Sequence, residues 1–271
     1  MMHHGSPPGS TLLLLLLTVL PVCLLCVYVL TAIRKRRTSR WSSWRIASFS
    51  TGILLIVLAV MPPISSWAHQ DLRGHMLQHL LLGMFGPLAL VFGAPGTLLI
   101  QILSASGARR FRNMMCLPPV RLLIHPVTAA ILDIGGMYLL YLTPLFGLSM
   151  SHPLLFVLVH MHFVISGYLF TWSIAGPDPA PHRPSRKCRL GVVFLATAAH
   201  AILGKLMYGY GYPLGTGASL SELQSAAQWM YYGGDLAELL LITGLFAAWF
   251  RHRSALPELL AERGAPARGL K

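Results

Sequence analysis

The side chains best suited to chemistry lie within residues 69–95. The stretch reads His69-Gln-Asp71-Leu-Arg-Gly-His75-Met76-Leu-Gln78-His79, then Leu80-Leu-Leu-Gly-Met84, and closes at Gly93-Ala-Pro95. Residues four apart share one face of a helix, so His75 and His79 form a vertical pair with Gln78 beside them. Neutral imidazole is the commonest metal ligand, and imidazole combined with thioether or carboxylate suits copper. A soft neighbour such as Met76 favours the cuprous ion. The segment is also apolar and long enough to cross a bilayer, where ionisable groups are costly enough to mark function by default.

Other apolar runs carry groups at a similar depth. With a rise of about 1.5 Å per residue, His79 lies about 8 Å below the outer end of its span, Asp133 about 15 Å, His160 about 11 Å, His200 about 12 Å and Asp235 about 14 Å. His160 and His162 are about 200° apart on a helix, so His160 is assigned to the interior and His162 to a neighbouring helix or the second face. One stripe holds Asp133, Met137 and Tyr141, and another holds Tyr231, Asp235 and Glu238. Each group has a plainer reading. A lone intramembrane histidine can be a hydrogen-bond partner between helices, methionine can be packing, and the buried acids can pair with Lys205 or be protonated. His125 and His152 precede prolines and read as helix caps, while His182 and His252 read as loop residues. The conjunction of groups supports three chemistries: copper binding, axial ligation of haem, or a proton or ion path. Nucleophilic catalysis finds no support, because no Ser or Cys stands beside a base at this depth and no G-x-S-x-G elbow is present.

Composition indicates the elements that must hold these groups. Of 271 residues, 55% are hydrophobic and 11% charged, far from a soluble domain. The formal charge of +13 does not require nucleic acid, since basic loops on one side of a membrane give the same sum. No phosphate-binding glycine loop or zinc-finger spacing appears. The four cysteines are too few for a disulfide framework, and Cys23 and Cys26, inside an apolar run, read as packing residues.

Apolar runs at 12–33, 46–61, 74–94, 121–143, 153–174, 190–208 and 226–250 predict an all-α integral membrane bundle of seven transmembrane helices. Pro95-Gly96 is the expected break after the third run, with 96–105 continuing along the interface. The segments 34–45, 105–121, 176–189 and 251–271 hold six, four, four and five of the twenty-one Lys and Arg residues. This alternation predicts the N-terminus outside and the C-terminus cytoplasmic, with the basic loops against anionic lipid. The charges follow the first run rather than precede it, which reads as an uncleaved anchor and not a secretory signal. The expected organisation is a disordered tail at 1–11, a membrane domain at 12–250 and a basic cytoplasmic tail at 251–271.

His75-Met-Leu-Gln-His79 and Phe92-Gly-Ala-Pro95 resemble the signature of the CtaG family, bacterial seven-helix assembly factors of caa-type cytochrome c oxidase. Gln224-Ser-Ala-Ala-Gln228-Trp229-Met230 with Gly233-Gly234-Asp235 is similar to that family as well, and so is His160-Met-His162. The likeness covers most of residues 40–250 in layout. It implies a role in oxidase assembly around copper-site formation, with oxidase subunits and membrane lipid as partners and no nucleic acid. The sequence therefore predicts a non-enzymatic assembly factor in a bacterial cytoplasmic membrane. His75 and His79 are expected to receive copper at the outer face, with His160, His200 and Met76 completing or relaying the site. Asp133, Asp235 and Gln78 are expected to orient the imidazoles. The alternatives are an ion- or proton-coupled transporter and a haem-binding membrane protein.

Overall fold

A computed structural model of the protein describes the backbone of residues 8–39 and 41–264, and side-chain environments for 18–36 and 41–250. The described residues form helices joined by short turns, with no strand among them. The helices are α1 (Pro8–Ser39), α2 (Ser43–Val60), α3 (Ile64–Gln70), α4 (Leu72–His79), α5 (Gly86–Phe92), α6 (Pro95–Ile102), α7 (Ala105–Met115), α8 (Pro118–Leu123), α9 (Pro126–Leu142), α10 (Leu145–Ser151), α11 (Pro153–Ala175), α12 (Arg186–Tyr210) and α13 (Leu220–Gly264). A π-helical turn, Leu80–Phe85, joins α4 to α5. Among the described residues, six stretches are long and apolar enough to cross a membrane, and a seventh is reached if the bent pair α9 and α10 counts as one span. Large apolar side chains such as Phe194, Leu195, Leu154 and Leu239 are exposed on outward faces, as a bundle surrounded by lipid requires.

Leu72–Phe92 is the hub: 67% of that stretch is buried, against 11% for the span in α1. Two apolar clusters flank it. The larger joins α4, α9, α11, α12 and α13 through residues such as Met76, Tyr141, Phe163, Leu203 and Met230. The smaller ties α1 and α2 to the far half of the hub through Tyr28, Phe49, Ile53 and Leu90. Polar side chains fasten that second contact: Ser48 Oγ donates to the Ala89 carbonyl at 2.7 Å and Tyr28 Oη to the Gly93 carbonyl at 2.6 Å.

The third run is not one continuous α-helix, as the sequence pattern predicted. Pro87 has no N–H to offer the Gly83 carbonyl, and its ring would crowd that oxygen in α geometry. The chain relieves this by widening into the π turn, in which Gly86 N–H bonds to the Leu81 carbonyl. π turns of this kind are frequent at functional sites. Gly167 of α11 packs directly against the Gly83 carbonyl and beside Pro87, so closely that a Cβ there would strike the oxygen. Two further expectations need correction. The fourth span starts at Pro126 rather than 121, is 17 residues long, and turns by 82° into α10. The basic stretch before it folds as α7, with no buried residue, and the short α8. Helix also occupies residues 8–11 and 251–264 of the two expected tails, whose remaining residues, 1–7 and 265–271, lie outside the described residues.

Gly167→Ala is expected to lower stability by about 1–3 kcal/mol, the usual cost of overpacking a tight contact. Gly147→Ala, where a Cβ meets nothing within 4 Å, serves as the control. Thermal unfolding of both variants in detergent checks the difference.

Candidate functional site

The hub enters the bundle through a capped turn. Asp71 is the N-cap of α4 and accepts from Arg73 N–H at 2.8 Å, while its carboxylate also takes the Arg73 guanidinium at 2.5–3.1 Å. The Leu72 N–H donates to Glu222 Oε1 at 2.9 Å, so the start of α13 is tied to the same rim. One turn further, His75 is buried, and His79 is buried one turn beyond it.

Two histidines flank one tyrosine, and a third joins them through His75. The His75 and His79 rings each lie 6.0 Å from the Tyr141 ring, and His75 is 6.0 Å from His160, all with nearly perpendicular planes. Phe146 and Phe163 close the chamber, each 4.9 Å from an imidazole. Gln78 links this group to α2: its Nε2 donates to the Ala59 carbonyl at 2.8 Å and its Oε1 faces His160 Nε2 at 3.0 Å. His160 Nδ1 lies 2.7 Å from the Phe156 carbonyl. Both partners are acceptors, and a neutral imidazole has a single N–H, so His160 donates to one of them at a time. Both ring nitrogens of His75 and of His79, and the Tyr141 hydroxyl, are buried without a hydrogen-bond partner. Buried polar atoms are seldom left so.

A row of rings leads out of the chamber. His160 stacks near Phe156 at 4.0 Å, and Phe156 lies 5.0 Å from His69, which is exposed at the rim. His69 Nδ1 is held by the Ser65 carbonyl at 2.6 Å.

The remaining expected residues fall elsewhere. His200 is fully buried on α12, and its Nδ1 is 3.7 Å from Glu238 Oε1. Its ring fills the space left by Gly234, where a Cβ would collide with it. Asp133 accepts from Ser166 Oγ at 2.9 Å, and Asp235 is only half-buried. The carboxylate beside an imidazole is thus Glu238, rather than Asp133 or Asp235. Asp133 and Glu238 share the lining of a cavity of about 20 Å³, room for about one water. Met76 is fully buried in the larger apolar cluster with Met137, Met207 and Met230. His162 Nε2 reaches the Leu132 carbonyl at 3.0 Å, on the neighbouring helix as expected, and His125 caps α9 through Val127 N–H. Cys23 and Cys26 are exposed on α1 rather than packed inside. Among the described residues, no three His, Cys, Asp or Glu side chains are placed to hold one metal ion together. The imidazoles form neighbouring stations and not a finished cage.

The sequence model of the cytochrome c oxidase caa3 assembly factors matches residues 7–252. The chain belongs to that family. It is also 30% identical over 252 residues to an uncharacterized protein of Mycobacterium leprae, covering 85% of this chain and 38% of the relative. Uncharacterized proteins of Mycobacterium bovis and Mycobacterium tuberculosis are each 29% identical over 235 residues, covering 80% of this chain and 36% of theirs. The chain thus spans less than two fifths of the length of these curated relatives. No solved structure matches it.

The site is built largely from residues that helical spacing had already placed on shared faces, with four additions. Tyr141 and Glu238 stood on the polar stripes without an assigned part, and Gly234 stood in the double glycine of the last span. Phe156, four residues before His160, gave no signal of its own.

Two measurements test this geometry. Gln78→Leu would leave the Ala59 carbonyl and one His160 contact unsatisfied, and is expected to cost about 1–3 kcal/mol in thermal unfolding. Asp71→Ala removes a helix cap and is expected to cost about 1 kcal/mol. The Arg73 guanidinium, above all through its hydrogen bonds, holds the Asp71 carboxyl below its ordinary value of 3.8. A depressed carboxylate contributes stability above its unfolded value and loses it as pH falls through the folded one. The gap between wild type and Asp71→Ala should therefore be flat from about pH 5 to 8 and close only in stronger acid, as read by unfolding across that range.

Proposed function

We propose that this chain is a non-enzymatic assembly factor of cytochrome c oxidase that receives copper among His75, His79 and His160 and passes it toward the oxidase. The observation that carries the reading is the set of buried imidazole nitrogens left without partners around Tyr141. Imidazole nitrogens suit copper, and a closed apolar chamber suits a cation that sheds its water for a few nitrogen donors. The family's description supplies the oxidase as the destination.

The ring ladder from exposed His69 past Phe156 to His160 is a plausible route for the cargo from the rim, and His200 with Glu238 is the next imidazole station. Gln78 acts by holding His160 in place between two helices. Met76, buried in the core, offers a thioether beside the same turn. The positive-inside pattern supports the rim carrying His69 as the outer face, with the N-terminus outside, the C-terminus inside, and the protein in the bacterial cytoplasmic membrane. The bent pair α9 and α10 then counts as the seventh crossing. Oxidase subunits and surrounding lipid are the expected partners.

A proton path is the second reading, favoured by one feature: Asp133 and Glu238 share a water-sized cavity, and Glu238 faces His200. Such a path would conduct in vesicles without copper.

His79→Ala is expected to lower copper retained by the purified protein and oxidase activity of the membranes, while the amount inserted stays unchanged. Metal analysis after anaerobic loading with cuprous ion, together with immunoblots of membranes, checks it. Copper content equal to wild type would remove the copper reading.

A further inference from the structure

At the end of the bundle away from the histidines, the α1–α2 turn, the end of α5, α6, the α11–α12 loop and α13 enclose a pocket of about 920 Å³. Four arginines line it: Arg45, Arg183, Arg186 and Arg189. Among the described residues, no carboxylate lines it. The nearest acid in the loop, Asp178, is committed to α6, accepting from Gly96 N–H at 3.1 Å and from Thr97 N–H and Oγ1 at 2.6 Å each.

The arginines are held in place rather than left to wander. Arg183 donates to the Gly176 carbonyl at 2.5 Å and to the Asp178 carbonyl at 2.8 Å. Arg189 is only 9% exposed and donates through Nη1 to the Ile174 carbonyl at 2.7 Å, yet its buried Nε has no partner. Arg45 lies over the Trp41 ring at 4.7 Å and Arg186 over the Trp249 ring at 5.7 Å. Burial, and then the Arg189 charge, pull the Arg183 guanidinium below its ordinary value, with Asp178 working the other way. Like charges gathered in a partly dry site call for a counter-charge, and guanidinium groups match phosphate geometry. The same pocket has an apolar side, formed by Phe92, Leu245 and Phe246. Basic pockets between membrane helices characteristically take phospholipid head groups.

We propose that this pocket is a binding site for an anionic phospholipid, with the phosphate among Arg45, Arg186 and Arg189 and the acyl chains against the apolar side. The lipid bridges α2, the α11–α12 loop and α13, elements whose contacts at this end run through the pocket's own walls. The site is separate from the histidine chamber and stands whether or not that chamber takes copper.

The test is native mass spectrometry of the full chain, purified in detergent, delipidated, and offered phosphatidylglycerol or phosphatidylcholine with the same acyl chains. Wild type is expected to retain phosphatidylglycerol on the order of tenfold over phosphatidylcholine. Arg186→Gln/Arg189→Gln should bring that ratio to about one. Arg45→Gln is the milder second variant, because the backbone carbonyl of Arg45 and not its guanidinium accepts from Tyr28; a several-fold fall is expected. Arg109→Gln/Arg110→Gln, on α7 outside the pocket, should leave the ratio unchanged. Equal retention of the two lipids by wild type overturns the proposal, as does an equal fall in the α7 variant, which would mean bulk charge. Displacement of phosphatidylglycerol by millimolar inorganic phosphate would assign the pocket to a free anion and overturn the lipid.

Discussion

Inside a bilayer no water is at hand to satisfy a polar group, so every polar side chain in a span must find a protein partner or serve a ligand. That constraint organises this bundle. Gln78 meets it by bridging the Ala59 carbonyl and His160, Ser48 by reaching the Ala89 carbonyl, and His162 by reaching the Leu132 carbonyl. His75, His79 and Tyr141 do not meet it within the described residues. The contrast separates polar groups that tie helices together from those buried without a partner.

The hub that carries His75 and His79 is shaped by a conflict between proline and helix. Pro87 cannot accept α geometry without disturbing the Gly83 carbonyl, and the π turn between His79 and Pro87 absorbs the mismatch. Gly167 then lets α11 come against that same carbonyl, which brings Phe163 and His160 of α11 alongside the hub. Glycine serves a second time at Gly234, whose missing side chain makes room for His200. The chamber and the station beyond it thus depend on two places where a Cβ would not fit.

The two ends of the bundle differ in chemistry. One gathers buried imidazoles among Tyr141, Phe146 and Phe163. The other gathers guanidinium groups in an open pocket, suited to a phosphate. The caps at Asp71 and Asp178 fix where the chain enters the hub and leaves it.

Much of this was legible in the chain itself. Hydropathy is a sum over local residues, so the spans, the break at Pro95 and the placing of His162 on a neighbouring helix followed from local pattern, and the short motifs were enough to point to the oxidase assembly family. Helical spacing likewise put His75 and His79 on one face and Tyr141 and Glu238 on the polar stripes. What required the tertiary structure was which stripe meets which. Periodicity gives a face its angle but not its neighbour, so Glu238 rather than Asp133 or Asp235 stands beside an imidazole, and Cys23 and Cys26 face outward. The length and bend of the fourth span and the π turn also escaped the pattern, because both arise where proline geometry is settled by what packs against it. Arginines spread over α2, the α11–α12 turn and α12 became one pocket for the same reason: distance along a chain does not encode distance across a bundle.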